Sequence, residues 1–173
     1  MSSLECMNTT RPDAVRPATV EDAVTLGRLL YDFNTEFGTP TPGAAEFASR
    51  FRGLLSGEDT EAFLSEDDRG EATGFALVSL RSTPYFDGPL VQLEELYVLP
   101  GLRDRGIGTR LLDAVVACAQ DRGSEEVHIG VDEMDTDTRR FYERHGFTNI
   151  VDATSEVGDG TRDFRMLLYL REL

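Results

Sequence analysis

The stretch LEELYVLPGLRDRGIGTRLLDAV, residues 93–115, decides the fold. An apolar, strand-like run, LVQLEELYVL at 90–99, stops at Pro100, because proline cannot continue a ladder. A loop carrying Arg103, Arg105, Gly106 and Gly108 follows. From Ile107 the apolar residues Leu111, Leu112, Val115, Val116 and Ala119 recur at helical spacing, and Gly123 ends that helix. A second strand-like run, EVHIGV at 126–131, comes next. Strand, helix and strand in this order form a crossover, so the two strands are expected to be parallel.

The loop has a chemistry of its own. Arg103, Gly106 and Gly108 form R-x-x-G-x-G between a strand and a helix. The first turn of a helix leaves backbone N–H groups without partners, and these groups and the dipole favour a phosphate. Glycine lets the backbone approach a ligand, and arginine adds charge-assisted hydrogen bonds. Read alone, the pattern also fits a tight turn with solvated arginines. The dinucleotide fingerprint G-x-G-x-x-G is absent, and a chain without lysine cannot supply the NTPase loop G-x-x-x-x-G-K-[ST].

Working outward, AVRPAT at 14–19 reads as a first strand, and Thr19 with Asp22 forms a box-like start for a helix from Ala23 to Phe37. GTPTPG breaks that helix, and Thr41 and Pro42 serve as cap and first-turn proline for a second one ending near Leu55. EAFLSE and GFALVSLR flank the turn-rich DDRGEAT as an antiparallel hairpin, and STPYFDGP at 82–89 is a loop. Beyond EVHIGV, DTDTRRFYERHG is a short helix closed by Gly146, and FTNIVDA and DFRMLLYL are two last strands joined by SEVGDGT. The order is β-α-α-β-β-β-α-β-α-β-β, an α/β fold of the α+β mixed-sheet kind with helices on both faces. Residues 1–13 read as a polar tail, and 14–173 as a single domain.

Composition narrows the function. The chain has 173 residues and a formal net charge of −15, and all 17 basic residues are arginine. That balance argues against nucleic-acid binding, which needs basic surface; it leans toward a cationic or neutral partner and reads equally as a means of solubility. No apolar run approaches the length of a membrane span and the start has no signal-peptide core, so the expected location is the cytoplasm. Of the two cysteines, Cys6 lies in the tail and Cys118 is expected to be a buried small hydrophobe. His128 and His145 are the only histidines, so no metal site is expected, and His145 suits a helix C-terminus.

LEELYVLPGLRDRGIGTRLLDAV resembles the acetyl-CoA-binding motif of the GNAT family of N-acetyltransferases, and DTDTRRFYERHGF resembles that family's second signature. The two lie in the family's order and separation, and the likeness covers roughly residues 14–171. The resemblance implies a GNAT-like acyl-CoA N-acyltransferase fold and an enzyme with acetyl-CoA as co-substrate. It implies that the loop Arg103, Asp104, Arg105, Gly106, Ile107, Gly108 and Thr109 holds the pyrophosphate of CoA through backbone N–H groups. It places Leu96, Tyr97 and Val98 beside the pantetheine arm, with main-chain bonds from Leu96 and Val98 where the parallel strands splay. Asp135 falls where the family often has a CoA-contacting Asn. It serves equally as an N-cap, and the cap is the preferred reading.

Transfer to an amine needs a base, because an alkyl ammonium has a pKa near that of lysine, about 10.4. Glu94 is taken as that base, since its position resembles the base carboxylate of several family members and strand alternation should turn Glu95 to the opposite face. Both also read as plain strand-surface carboxylates. The Leu96 amide is the family-style donor to the oxyanion, and Tyr142 resembles the family's general acid for the departing thiolate. The first two helices and the 82–89 loop would wall the acceptor with Tyr31, Asp32, Phe33, Glu36, Phe37, Tyr85, Phe86 and Asp87, which suits a small-molecule or peptide amine of cationic character. A catalytically idle acyl-CoA-binding sensor is the alternative function, and the apolar last strand allows a homodimer.

Overall fold

The computed structural model describes residues 13–150 and 166–173. The strands are β1 (Ala14–Pro17), β2 (Thr60–Glu66), β3 (Ala72–Arg81), β4 (Leu90–Val98), β5 (Glu126–Asp132), β6 (Thr148–Asn149) and β7 (Met166–Glu172). The helices are α1 (Ala23–Glu36), α2 (Ala44–Leu55), α3 (Ile107–Asp121) and α4 (Thr136–Arg144), with short 3-10 turns at Val20–Asp22 and Pro100–Leu102. The strands form one sheet in the order β1-β2-β3-β4-β5-β7-β6. All neighbours are antiparallel except β4 and β5, the parallel pair that the 93–115 stretch implies.

Two cores lie on the two faces. On one, Ile107, Leu111, Leu112, Val115 and Ala119 of α3 pack on Val91 and Leu93 of β4 and Val127, Ile129 and Val131 of β5, joined by Tyr142 and Phe147. Each Leu, Ile or Val so buried contributes about 1.5–3 kcal/mol. On the other, Leu26, Leu29, Leu30 and Phe51 of α1 and α2 cover Phe75, Leu77 and Tyr97. The helix pair is close because Gly27 meets α2 backbone to backbone: a Cβ there would lie 2.6 Å from Ala48 N and 2.7 Å from Ala44 O. Gly27→Ala is therefore expected to cost about 1–3 kcal/mol in a urea titration, as overpacking does.

Three boundaries differ from the sequence reading. The second helix begins at Ala44 after an extended Gly43, not at Pro42. Its N-terminal N–H groups are served by Gly43 O, which accepts from Glu46 N and Phe47 N at 3.0 and 3.1 Å, so Thr41 is not needed as a cap. The Thr19–Asp22 box does form, but it opens the 3-10 turn that leads into α1. The strand expected over 147–153 is described only at Thr148–Asn149. Cys6 and the SEVGDGT turn lie outside the described residues. Among the described residues, no helix is long and apolar enough to cross a membrane.

One irregularity sets up the site. Along β3, Leu77 pairs with Glu95 but the next residue, Val78, pairs with Leu93. Glu94 is thus the extra residue of a β-bulge. The bulge shifts the facing pattern of β4: Val91 and Leu93 face α3 before it, and Leu96 and Val98 do so after it. Glu95 shares the α1/α2 face with its partner Leu77, and Glu94 takes a hydrogen bond from Ser79 Oγ on that same face. The expected alternation of Glu94 and Glu95 is therefore corrected, because the bulge puts both carboxylates on one side.

Candidate active site

β4 and β5 part company early. Their pairing runs Val91–Val127, Gln92–His128 and Leu93–Ile129 and then stops, although β4 continues to Val98 and β5 to Asp132. On the β3 side, Leu99 N donates to Thr73 O at 3.0 Å. Main-chain groups of a strand alternate between its two neighbours, so Tyr97 also faces β3, while Leu96 and Val98 present N–H and C=O to the gap. The gap thus has the main-chain groups of Leu96 and Val98 on one wall. Tyr97 is not brought to it: its main chain faces β3 and its ring is 3% exposed in the core beneath α1.

Carboxylates and a phenol flank the gap from opposite faces. Burial, and then the charge of Glu94, push the Glu95 carboxyl up to about 7. Glu94 is exposed. Tyr142 of α4 is 3% exposed on the α3 face. Its hydroxyl is pushed well above the usual phenol range by burial first, then by the charges of Asp135 and Glu95. No hydrogen-bond partner of the Tyr142 hydroxyl is found among the described residues. Asp135 caps α4, its Oδ1 accepting from Thr138 N at 2.9 Å, which gives it a complete structural role.

Beyond Pro100 the chain turns into α3 through two left-handed residues, Asp104 at φ 62° and Gly106 at φ 76°. Glycine takes this conformation without strain, and aspartate tolerates it. The backbone N–H groups of residues 104–109 find no acceptor among the described residues; the next, Arg110 N, donates to Gly106 O at 3.1 Å. A Cβ on Gly108 would meet only Phe141 at 3.6 Å and Val98 at 3.9 Å, both ordinary contacts. The fold would accept a Cβ there, against Phe141 and Val98. Thr109 Oγ1 lies 3.2 Å from His145 Nε2, and His145 Nδ1 lies 2.7 Å from Phe141 O. With Nδ1–H donating to that carbonyl, the Thr109 hydroxyl donates to Nε2. Thr109 therefore ties α3 to the end of α4, and Ile107 is core at 1% exposure.

The two loop arginines have separate work. Arg103 grips Glu36 at the end of α1 with both NH groups at 2.8 Å, donates from Nε to Val98 O at 3.1 Å, and lies 5.8 Å over the Tyr97 ring. Its guanidinium is engaged by Glu36 and Val98 O, whereas Arg105 is exposed and without an ion-pair partner among the described residues. Glu36 is correspondingly withdrawn from the acceptor wall. Phe33 also turns inward, 5.1 Å from the Tyr97 ring. Phe37 and Tyr85 stay exposed. Cys118 is half-buried, with Sγ 3.0 Å from Glu61 Oε2.

Sequence reasoning missed the Glu36–Arg103 pair and Arg110. Arg110 reaches back under the loop, its NH1 3.4 Å from where a Gly106 Cβ would stand and its buried Nε without a hydrogen-bond partner among the described residues. The backward tilt of helical side chains toward the N-terminus makes residues just inside a helix candidates for such a role.

Residues 27–147 match the model of the Acetyltransferase (GNAT) family. The chain is 31% identical over 119 residues to an uncharacterized N-acetyltransferase of Mycobacterium tuberculosis, covering 69% of this chain and 67% of that one. Its fold is similar to that of a candidate acetyltransferase from Arthrobacter sp. FB24, with a TM-score of 0.73 and 41% identity over 94% of this chain and 99% of the other. It is also similar in fold to Arabidopsis thaliana NAA60 in complex with acetyl-CoA, with a TM-score of 0.71 and 18% identity over 93% and 98% of the two chains.

Proposed function

The chain belongs to the GNAT family of acetyltransferases, and from that premise we propose that it moves an acetyl group from acetyl-CoA to a primary amine of a small molecule or peptide. The observation that carries this reading is the gap after Leu93. It is open between two parallel strands, edged by the main chain of Leu96 and Val98, with Glu95 on one face and Tyr142 on the other. The acetyl donor supplies a thioester whose carbonyl carbon the amine attacks directly, so Cys118 need not take part.

The donor's pyrophosphate fits the loop on one observation, the unpartnered N–H groups of 104–109, in a turn that Asp104 and Gly106 shape with left-handed backbone. Arg105 adds charge, and Asp104, Gly106, Ile107, Gly108 and Thr109 act through their main chains. Gly108→Val is expected to raise KM for acetyl-CoA about tenfold or more by crowding the helix start that the donor approaches, with a smaller change in the urea midpoint than Gly27→Ala gives, because its Cβ meets only ordinary contacts; initial-rate kinetics and a denaturation curve check both.

Within the gap, Glu95 accepts the ammonium proton, directly or through a water, and Glu94 raises its proton affinity from alongside. The base assignment thus moves from Glu94 to Glu95, the more buried of the pair. Leu96 N–H faces the position where the oxyanion develops. Tyr142 offers its O–H to the departing sulfur. A phenol held above its usual range is a poor full acid toward a thiol whose pKa is about 8.5, so hydrogen bonding to the thiolate is its role.

Calorimetric titration with acetyl-CoA, followed by thiol release over a panel of amines, tests the proposal. Binding with release on some amines is the expected result. No binding would mean that the loop is only a turn.

A further inference from the structure

We propose that Glu36 and Asp13 set the affinity of the donor loop by cancelling its arginine charge, so that the polyanionic donor binds more tightly as ionic strength rises. This deepens the acetyltransferase reading and rests on it.

The stretch from Arg103 to Arg110 carries three guanidiniums, of Arg103, Arg105 and Arg110, and one carboxylate, Asp104. Two of the guanidiniums are met from outside the loop. A terminal NH group of Arg103 lies 2.8 Å from Glu36 at the end of α1, and one of Arg110 lies 3.8 Å from Asp13, just before β1. Arg105 has no ion-pair partner among the described residues, but the adjacent Asp104 offsets its charge at longer range. Three arginines against Asp104, Glu36 and Asp13 leave a formal charge of zero around the loop.

What then holds a phosphate is short-ranged. The backbone N–H groups of residues 104–109 act at hydrogen-bond distance, and the dipole of α3 fades within its first turn. Farther out, the field belongs to the whole chain, whose formal net charge is −15. CoA, with a pyrophosphate and a further phosphate, carries about four negative charges at neutral pH. The donor therefore approaches against a repulsive potential and gains its attraction only on contact. Salt shortens the reach of that potential, since the Debye length falls from about 10 Å at 0.1 M to about 3 Å at 1 M, while close contacts are screened much less. A site that draws phosphates with uncancelled basic side chains has the opposite salt dependence.

Both ion pairs are partly exposed, so each contributes little to the fold and can be altered without losing it. Calorimetric titration with acetyl-CoA from about 0.05 to about 0.5 M KCl, over which the Debye length falls roughly threefold, tests the proposal. On the native chain Kd is expected to fall about tenfold across that range, as repulsion is screened. Glu36→Gln and Asp13→Asn each leave one arginine charge uncancelled. Each is expected to bind acetyl-CoA about threefold more tightly than the native chain at the low-salt end, with the gain shrinking toward the high-salt end. Pairs that served only to brace the loop would give the reverse, weaker binding at every salt concentration. S-acetylpantetheine, which has the thioester and no phosphate, is the control, and its kcat/KM in thiol release should not respond to KCl.

A Kd for acetyl-CoA that rises with KCl, weaker low-salt binding in both variants, or an equal salt response of S-acetylpantetheine would overturn the proposal and leave the acetyltransferase reading standing. No binding of acetyl-CoA at any salt concentration would sink that reading as well.

Discussion

Glu95→Gln is expected to lower kcat about 10²-fold or more, the usual contribution of a positioned base. The same variant should lose the acid limb of the pH profile. The Glu95 carboxyl is held up to about 7 by burial and by Glu94. The base works only when ionised, so kcat/KM in the native chain should fall as pH drops below about 7. Glu94→Gln removes the smaller of the two causes, and its acid limb should move part of the way down toward the ordinary carboxylate range while activity survives. The stability of the fold should respond with the opposite sign. The folded chain holds the Glu95 proton up to about 7 and the unfolded chain releases it near 4.5, so this group's contribution falls as pH rises through that window. Glu95→Gln should therefore raise the urea midpoint at pH 8 relative to the native chain. A Glu95→Gln variant with full activity would return the role to Glu94 or to a solvent base.

Tyr142→Phe is the second large effect, expected to lower kcat by roughly 10²-fold with little change in KM for acetyl-CoA. A preorganised donor to developing charge is worth that much in a closed site. The ring itself belongs to the core, 5.5 Å from Phe147 and 5.1 Å from Phe141, and phenylalanine keeps those contacts. Because the hydroxyl has no partner among the described residues, its loss should leave the urea midpoint nearly unchanged. Stopped-flow thiol release checks the rate and a denaturation curve checks the fold. A variant that is less stable but equally fast would mean that Tyr142 is only a core residue.

The architecture was legible where periodicity is strong. The spacing of Ile107, Leu111, Leu112, Val115 and Ala119 gives α3 with Gly123 at its end, and the crossover logic gives the one parallel pair. Alternation failed at Glu94, since nothing local in LEELYV marks a bulge: the slip is fixed by the partner strand, through Leu77 and Val78. The pairing of Arg103 with Glu36 was equally hidden, because the two are 67 positions apart and meet only when α1 lies over Tyr97. R-x-x-G-x-G locates the loop correctly but does not say which arginine stays free. Residue type carries the chemistry of such a motif, whereas long-range packing decides which group is left to perform it.

The bulge also governs which changes in length the chain can accept. Glu94 is exposed and its side chain fills no core, so by burial alone it belongs among the replaceable positions. Substituting it leaves the count of residues intact. Deleting its codon does not, yet Leu93, Glu95, Leu96, Tyr97 and Val98 would then alternate regularly, each on the face it already holds, and only the bend of the bulge would be lost. At this one surface position both exchange and loss of a residue spare the two cores, because the bulge absorbs the extra residue locally; what its loss would change is the bend that sets Glu95 beside the gap.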